Sequence, residues 1–214
     1  MNEYQAVWNE MTAKQIIRHL ERRRMEGSYA RSGVQARDEI AAMIPQGATV
    51  YRCSSVSAVE TGLWEKIAET PGVKILDPYP PGASTEESIE IRRRGMTADV
   101  MIASSNAVTM DGRLVNLDAM GNRVAAMCFG PKKVILVVGM NKVVHDLDAA
   151  MARIKHQVAP VNALRAGYQN PCKENGKCID CRSPQRICNM WSIIEGHFIE
   201  NRIHVKLVGE NLGF

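Results

Sequence analysis

Apolar residues follow two periods along this chain, one typical of helices and one typical of buried strands. From Tyr4 to Leu20 they recur every three or four residues, which predicts one or two amphipathic helices. Short, nearly continuous apolar runs predict buried strands instead. These strand candidates are residues 49–53, 73–76, 99–103, 133–138 and 202–208.

Helical patterns separate most of these strand candidates. Ser32 has the side chain to cap a helix, and Ser84 with Glu87 has the spacing of a capping box. Three further segments complete the pattern: helices over residues 56–70 and 146–158, and a polar hairpin region over 104–123. Because strands and helices alternate, we expect a three-layer α/β fold in which helices cover a mostly parallel sheet.

The regular periods stop after the helix predicted to end near residue 158. From Ala166 onward the chain is rich in Cys, Pro, Gly, Lys and Asn, a composition typical of a loop that is ordered by something other than an apolar core. We therefore predict two units. Residues 1–165 and 199–214 form the α/β domain, and residues 166–198 form a cysteine-rich, metal-binding insertion.

Composition and charge narrow the class of protein. The chain has 214 residues, of which 45% are hydrophobic and 23% charged, as in ordinary globular proteins. Its net charge of +4 and its aromatic content of 5% do not indicate nucleic-acid binding. The longest apolar stretch, Val134 to Met140, is too short to span a bilayer, and the polar residues 2–5 do not resemble a signal peptide. We expect a cytoplasmic protein without a membrane span.

Four of the six cysteines are crowded into seventeen positions. Cys172, Cys178, Cys181 and Cys188 have the spacing Cys-x5-Cys-x2-Cys-x6-Cys, which in a chain of this size favours a metal site over disulfides. Four thiolates suit either tetrahedral zinc or an iron–sulfur cluster. Structural zinc sites more often combine two Cys-x2-Cys pairs, so the spacing favours the cluster. Zinc is the alternative, and a third interpretation is that the four cysteines bind no metal.

Polar side chains cluster where the predicted strands end. Ligands of parallel α/β sheets bind beyond the carboxyl ends of the strands, where such groups can hold a carboxylate or phosphate. The candidate ligand-binding residues are Ser55, Glu60, Asn106, Asn116, Asp118, Asn122, Arg123, Asn141 and Lys142. Helix capping, turn formation and surface charge are the alternatives. No nucleophile and base can be paired from this sequence, so no catalytic residue is assigned.

Long segments of the chain resemble a known family. Residues 98–124 and 129–142 are similar to the lactate-utilization (LUD) domain family. Residues 172–189, with the motif Ser183-Pro184-Gln185-Arg186-Ile187-Cys188, and residues 202–214 resemble its cysteine-bearing branch. Together these segments cover most of the second half of the chain, and the resemblance extends to Ser55, Glu60 and Gly62.

This resemblance implies a fold like that of sugar-phosphate isomerases and coenzyme A transferases. It also implies a role in the oxidation of L-lactate to pyruvate, a 4Fe–4S cluster on the four cysteines, and partner proteins that are themselves iron–sulfur redox proteins. A small carboxylate or phosphate ligand and a homo-oligomer are compatible with it, whereas a nucleic-acid partner is not implied. The alternative is a non-catalytic ligand-binding or assembly module, in which zinc or a cluster only stabilises the cysteine-rich loop.

One loop departs from the family pattern. Relatives usually carry Gly-Gly-Ser-x-Thr before a glutamate, whereas this chain has Cys53-Ser54-Ser55-Val56-Ser57 before Glu60. Both glycines are replaced by residues whose side chains restrict the backbone. Close approach of this loop to a phosphate is therefore not expected.

Overall fold

The computed structural model describes residues 2–214 and contains a six-stranded parallel sheet. The sheet is formed by β1 (Glu26–Ala30), β2 (Thr49–Arg52), β3 (Lys74–Leu76), β4 (Val100–Ala103), β7 (Lys133–Gly139) and β10 (Ile203–Val208). Their order across the sheet is β1-β10-β7-β4-β2-β3, and every neighbouring pair is parallel. This confirms the mostly parallel sheet that the alternating pattern predicts.

A smaller, four-stranded sheet lies beside the parallel one. It contains β5 (Ala107–Thr109), β6 (Leu114–Asp118), β8 (Val143–Val144) and β9 (Met190–Ile194), in the order β8-β5-β6-β9. β5 and β6 form the hairpin predicted for residues 104–123. β9 pairs antiparallel with β6 although it lies inside the predicted insertion 166–198, so the end of that segment is part of a sheet rather than a separate loop.

The helices connect the strands in chain order. Their bounds are α1 (Glu3–Arg22), α2 (Gly33–Ala42), α3 (Val56–Glu60), α4 (Leu63–Ala68), α5 (Thr85–Gly95), α6 (Asn122–Cys128), α7 (Leu147–Arg153), α8 (Ala159–Arg165) and α9 (Pro171–Asn175). Ser32 and Ser84 cap α2 and α5 as predicted, and the capping box of Ser84 with Glu87 is complete. The helix predicted over 56–70 is broken into α3 and α4 at Gly62, whose φ is +70°.

Two apolar cores lie on opposite faces of the parallel sheet. Along β7, Val134, Leu136 and Val138 pack into one core together with α1 and α6. The intervening residues Ile135 and Val137 pack into the other core with α2, α3 and α4. Because successive side chains of a strand point to opposite faces, this alternation shows helices on both sides of the sheet and hence three layers.

A third, smaller core joins the second sheet to the helix that follows it. Val115 and Leu117 of β6 pack against Ala150, Ile154 and Val158. The helical path does not end near residue 158 as predicted, but continues from α7 through a π-helical segment, Ile154–Val158, into α8. Pro160 explains the π turn, because its ring lacks an N–H group and would clash with the carbonyl four residues earlier.

In the part of the chain that the structure describes, no helix combines the length and the apolar character that crossing a bilayer requires.

Candidate functional site

A large cleft lies at the carboxyl edge of the parallel sheet, with a volume of about 600 Å³. The segment after β2, the segment after β4 and the end of β6 line it on one side. The helical stretch from Ile154 to Arg165 and the segment up to Tyr168 line it on the other. The cleft is therefore enclosed by the main sheet, the second sheet and the helical stretch that contains Pro160.

The topology of the sheet accounts for this position. From β2 the chain moves outward to β3 at the edge of the sheet, and it then crosses back over β2 to form β4. Such a reversal separates the connections that leave the ends of β2 and β4, and it opens a crevice between them. Ser54 and Ser55 after β2 and Ser104 and Ser105 after β4 line this crevice.

Six of the nine predicted ligand-binding residues line the cleft, and three do not. Those that line it are Ser55, Asn106, Asp118, Asn122, Arg123 and Lys142. Asn116 is fully buried behind the wall, and Glu60 and Asn141 bind the segment near the end of the chain. Side chains from four separate segments of the sequence thus meet at one site, although their contacts show different roles.

Arg123 holds together the polar groups on one side of the cleft, which we call the Arg123 wall. It donates hydrogen bonds to the Oδ1 atoms of Asn116 (2.7 Å), Asn106 (2.9 Å) and Asp118 (3.2 Å). It also donates to the carbonyl oxygens of Ser104 and Leu117, both at 3.1 Å. Since all three guanidinium nitrogens are engaged, Arg123 chiefly holds the end of β4 against β6 and α6, and it adds positive charge to the cleft.

The asparagines around Arg123 complete this wall. Asn116 Oδ1 also accepts from the backbone N–H of Asn106 at 3.1 Å, and Asn106 Oδ1 accepts from the N–H of Leu117 at 2.9 Å. Asp118 accepts from the N–H of Arg123 at 3.1 Å, next to Gly121, which begins α6 with a φ of +88°. Asn106, Asn116, Asp118 and Arg123 therefore hold one another in place through hydrogen bonds within the protein.

Tyr51 and Cys53 show how burial suppresses acidity in this region. Asn122 lines the cleft and donates to the hydroxyl oxygen of Tyr51 at 3.0 Å. Burial raises the pKa of Tyr51 and raises that of the neighbouring Cys53 thiol to about 12. Neither group is ionised near neutral pH, so Cys53 is not an activated nucleophile.

Lys142 is the buried amine of the cleft. Its side chain is only 5% exposed, and its Nζ lies 2.8 Å from Ser57 Oγ and 3.0 Å from Ser104 Oγ. Within residues 2–214 no carboxylate forms an ion pair with it. Burial and, to a smaller extent, the positive charges of Arg153 and Arg123 lower the pKa of Lys142 to about 7, against an opposing effect of Glu60.

Residues 212–214, the segment near the end of the chain, lie next to Lys142. Glu60 Oε2 accepts from the N–H of Gly213 at 2.6 Å, and Asn141 Oδ1 accepts from the N–H of Leu212 at 3.1 Å. A Cβ atom on Gly213 would lie only 3.2 Å from Lys142 Nζ. Glu60 and Asn141 thus act on the cleft through the position of this segment, which also brings Phe214 to the cleft lining.

The cleft carries more positive charge than the sequence analysis anticipates. Its lining includes Arg52, Arg92 and Arg165, which were not among the predicted residues, beside Arg123 and Lys142. Asp118 is its sole acidic side chain among the described residues. Arg92 belongs to a run of basic residues that is typical of a solvent-exposed helix face. The local sequence around these arginines gives no indication that they line a cleft.

The four clustered cysteines line a second pocket, immediately beside the cleft. Cys172 lies in α9, which Gly176 ends in a left-handed conformation, and Cys178 and Cys181 lie in the following loop. Cys188 lies just before β9. All four are unpaired thiols that line this pocket, whereas Cys53 and Cys128 do not, so the structure brings the predicted quartet together.

Two basic residues support the cysteine pocket. Arg186 donates to the carbonyl oxygens of Cys181 and Cys188, the latter at 2.9 Å, and to Asp180 Oδ1 at 2.8 Å. Lys155, from the π-helical segment, donates to the same carboxylate oxygen at 2.7 Å. Lys155 lies far from the cysteines along the chain, so the sequence gives no sign of this contact.

The thiols are close enough to influence one another electrostatically. Burial raises the pKa of Cys172, and the charges of Cys181 and Cys178 raise it further. Burial also raises the pKa of Cys188, which Lys155 and Arg186 lower to a smaller extent. The free thiols at these two positions are therefore predominantly protonated near neutral pH, and a metal would have to displace their protons.

No group of three or more His, Cys, Asp or Glu side chains in residues 2–214 converges in the way that a single metal ion requires. The four thiols nevertheless line one pocket. Ala159 and Ile187 line both this pocket and the large cleft. The two sites are thus adjacent and separated by apolar side chains.

Comparisons with known proteins agree with this architecture. No curated protein matches the chain at a significant level. A crystal structure of a DUF162 family protein from Deinococcus radiodurans matches with a TM-score of 0.52 and 14% sequence identity, covering 94% of this chain and 97% of that one. At this identity the match supports the fold alone. The model of the LUD domain matches residues 13–208, so the chain belongs to the LUD domain family.

Proposed function

We propose that this protein is an iron–sulfur component of L-lactate utilization, which acts with iron–sulfur redox proteins in the oxidation of lactate to pyruvate. Membership of the LUD domain family suggests the role in lactate utilization. The observation that carries the redox part of the proposal is the placement of all four clustered cysteines around one pocket, which shares Ala159 and Ile187 with the cationic cleft.

The arrangement of the thiols supports a cluster in preference to zinc. A structural zinc ion requires four ligands in a tight tetrahedron around one point. A 4Fe–4S cluster distributes its four cysteine ligands over four iron atoms, so the sulfur atoms lie farther apart. This chain has one Cys-x2-Cys pair with outer gaps of five and six residues, a spread that favours the second arrangement, and its four thiols share one pocket.

The surroundings also suit a negatively charged cofactor. Arg186 fixes the backbone at Cys181 and Cys188, and together with Lys155 it brings positive charge to the pocket. Such charges offset the negative charge of thiolate-bound clusters. Cys172, Cys178, Cys181 and Cys188 would hold the cluster, whose contribution would be the transfer of single electrons.

The large cleft supports the binding of a small anion. Its lining carries four arginines and Lys142 against one aspartate, so a carboxylate or phosphate would be attracted to it. A carboxylate is the better candidate, because the segment at Cys53 and Ser54 lacks the glycines that would let the backbone approach a phosphate. Lactate and pyruvate both belong to this class.

Anaerobic purification with metal analysis tests the proposal. We expect a brown protein with equal amounts of iron and acid-labile sulfide, and we expect Cys178→Ala to lose both. Cys128→Ala is the matched control, because that cysteine is exposed and lies outside the pocket. A colourless protein with one zinc per chain would contradict the proposal.

The same variant separates a redox role from the alternative of a stapled, non-catalytic module. If the assembled partners oxidise lactate at an unchanged rate with Cys178→Ala while the melting temperature falls, the metal only stabilises the loop. If lactate oxidation is lost while the fold is retained, as circular dichroism would show, the cluster takes part in the reaction. Purification of the tagged protein with its partners tests the proposed association.

A further inference from the structure

We infer that Lys142 forms a covalent imine with the carbonyl carbon of a short 2-oxo acid bound in the cleft. The inference rests on the proposed ligand role of the cleft and names its substrate class, but it does not depend on a cluster in the neighbouring pocket. It also assigns to this chain a covalent step of its own, which the proposed electron transfer does not require.

The contacts of Lys142 distinguish it from an ordinary buried lysine. Its Nζ is held by two hydroxyl oxygens, those of Ser57 and Ser104, and no carboxylate within residues 2–214 forms an ion pair with it. Lys206 is buried to a similar degree, yet it donates to Glu39 Oε2 at 2.6 Å. A carboxylate keeps an ammonium group protonated, whereas hydroxyl groups can also donate to a neutral amine.

The surroundings favour the neutral, nucleophilic form of this amine. Burial and the nearby cations Arg153 and Arg123 disfavour the ammonium form, and Glu60 opposes them only in part. Lysines that are desolvated or placed near other cations are those that react with carbonyl groups near neutral pH. Lys142 follows β7 at the carboxyl edge of the sheet and lines the cleft, so a ligand bound there would lie next to this residue.

The charge of the cleft selects the ligand class. Arg123 and Arg165 line the same cleft and attract a carboxylate group. A 2-oxo acid has a carboxylate directly next to a ketone, so its anionic end can face the arginines while its carbonyl carbon meets Lys142. Lactate has no carbonyl group at that carbon and cannot form the adduct.

The covalent step balances without an additional reactant. The nitrogen of Lys142 bonds to the carbonyl carbon, the carbon–oxygen double bond is lost, and the oxygen leaves as water with the two protons of the amine. The step is neither an oxidation nor a reduction. Cyanoborohydride, which reduces imines, would add a hydride to the carbon while solvent supplies a proton to the nitrogen, and this would trap the adduct as a stable secondary amine.

Reductive trapping followed by peptide mass spectrometry tests the inference. The purified full chain is incubated with pyruvate or 2-oxobutyrate and cyanoborohydride, and the modified lysines are identified. We expect modification at Lys142 at least tenfold above that at Lys206 and at the exposed Lys132. Lactate should give no adduct. Lys142→Arg, which keeps the cation but cannot form an imine, should abolish the signal, whereas Lys206→Arg should leave it unchanged.

Other outcomes would overturn the inference. An adduct absent from Lys142 with both 2-oxo acids, or one spread equally over the exposed lysines, would show that this amine is not the reactive group. Measurement of pyruvate binding by saturation-transfer NMR in the same samples separates the two proposals. Binding without an adduct would refute the imine and leave the proposed ligand site, whereas an adduct on a protein without iron and sulfide would refute the proposed cluster alone.

Discussion

The guanidinium group of Arg186 donates from Nε to the carbonyl oxygen of Cys188 at 2.9 Å, and its Nη1 donates to the carbonyl oxygen of Cys181. One side chain therefore joins the last two cysteines of the quartet. Arg186→Lys keeps the positive charge but cannot make both bonds, because an ammonium group is a single point donor. We expect the variant to lose iron about tenfold faster under a chelator, as changes around metal ligands usually cause.

Arg182 provides the matched control for this prediction. It is also an arginine of the cysteine loop, but it is exposed and does not line the pocket. Arg182→Lys should leave the rate of iron loss unchanged. Equal rates of iron loss for the two variants would show that the positive charge of the loop, rather than the two hydrogen bonds from Arg186 to the backbone, retains the metal.

A second prediction concerns Arg123. A lysine at this position cannot reproduce the hydrogen bonds that the guanidinium of Arg123 donates to Asn106, Asn116 and Asp118, although each of these side chains keeps a backbone N–H donor. Each lost hydrogen bond costs about 0.5–1.5 kcal/mol, so for Arg123→Lys we expect a loss of about 2–4 kcal/mol in the free energy of unfolding. Urea denaturation measures it. Arg93→Lys, on the exposed face of α5, should change stability by less than about 0.5 kcal/mol.

A third prediction compares Gly121 with Gly82, in order to separate the energetic cost of a left-handed backbone from the cost of steric crowding by a neighbouring side chain. Its φ is +88°, and a Cβ atom there would lie 2.5 Å from Met190 Sδ. Gly82 has a similar φ of +78° but has open space around it. Gly82→Ala should therefore cost about 1–2 kcal/mol for the left-handed conformation alone.

Gly121→Ala should cost more than this, because Met190 of β9 must also shift. Thermal unfolding of both variants measures the difference. Equal losses of stability would mean that Met190 moves aside without cost. Since Gly121 begins the helix that carries Asn122 and Arg123, we also expect Gly121→Ala to weaken anion binding in the cleft, whereas Gly82→Ala should not.

Most of the main sheet can be predicted from the sequence, because its central strands are buried on both faces. β7 has seven residues, six of which are buried, so its apolar run is almost unbroken. β1, by contrast, has the sequence Glu26-Gly-Ser-Tyr-Ala30 and no apolar run. It is a strand because it lies parallel to β10 at the edge of the sheet, and that pairing leaves no local pattern to detect.

The candidate site could be predicted only in part, for a related reason. Residues that follow a strand directly, such as Ser55, Asn106 and Lys142, lie at the cleft because strand ends meet at one edge of a parallel sheet. Arg165 and Lys155 reach the two sites from the helical stretch around Pro160, and only the tertiary packing of that stretch sets their positions. The cysteine spacing indicated a shared site, but it could not show that the site adjoins the cleft.

A last prediction follows from the pKa of Lys142, which burial lowers from 10.5 to about 7. Between these values the unfolded chain binds a proton at Lys142 that the folded protein releases, so this residue makes stability rise with increasing pH. The cost of burying the charge is fully present below about pH 7 and is relieved toward pH 10.5. Lys142→Met removes the titrating group, and its stability should lack this rise.

We therefore expect wild-type protein to gain roughly 2–5 kcal/mol relative to Lys142→Met between pH 6 and pH 10, as a shift of this size implies. Urea unfolding at several pH values measures the difference. The charges of Arg123, Arg153 and Glu60 face the amine in both proteins, so their own effects largely cancel in the comparison. A difference that stays constant from pH 6 to pH 10 would show that Lys142 keeps its proton on folding, and the amine could not then act as a nucleophile near neutral pH.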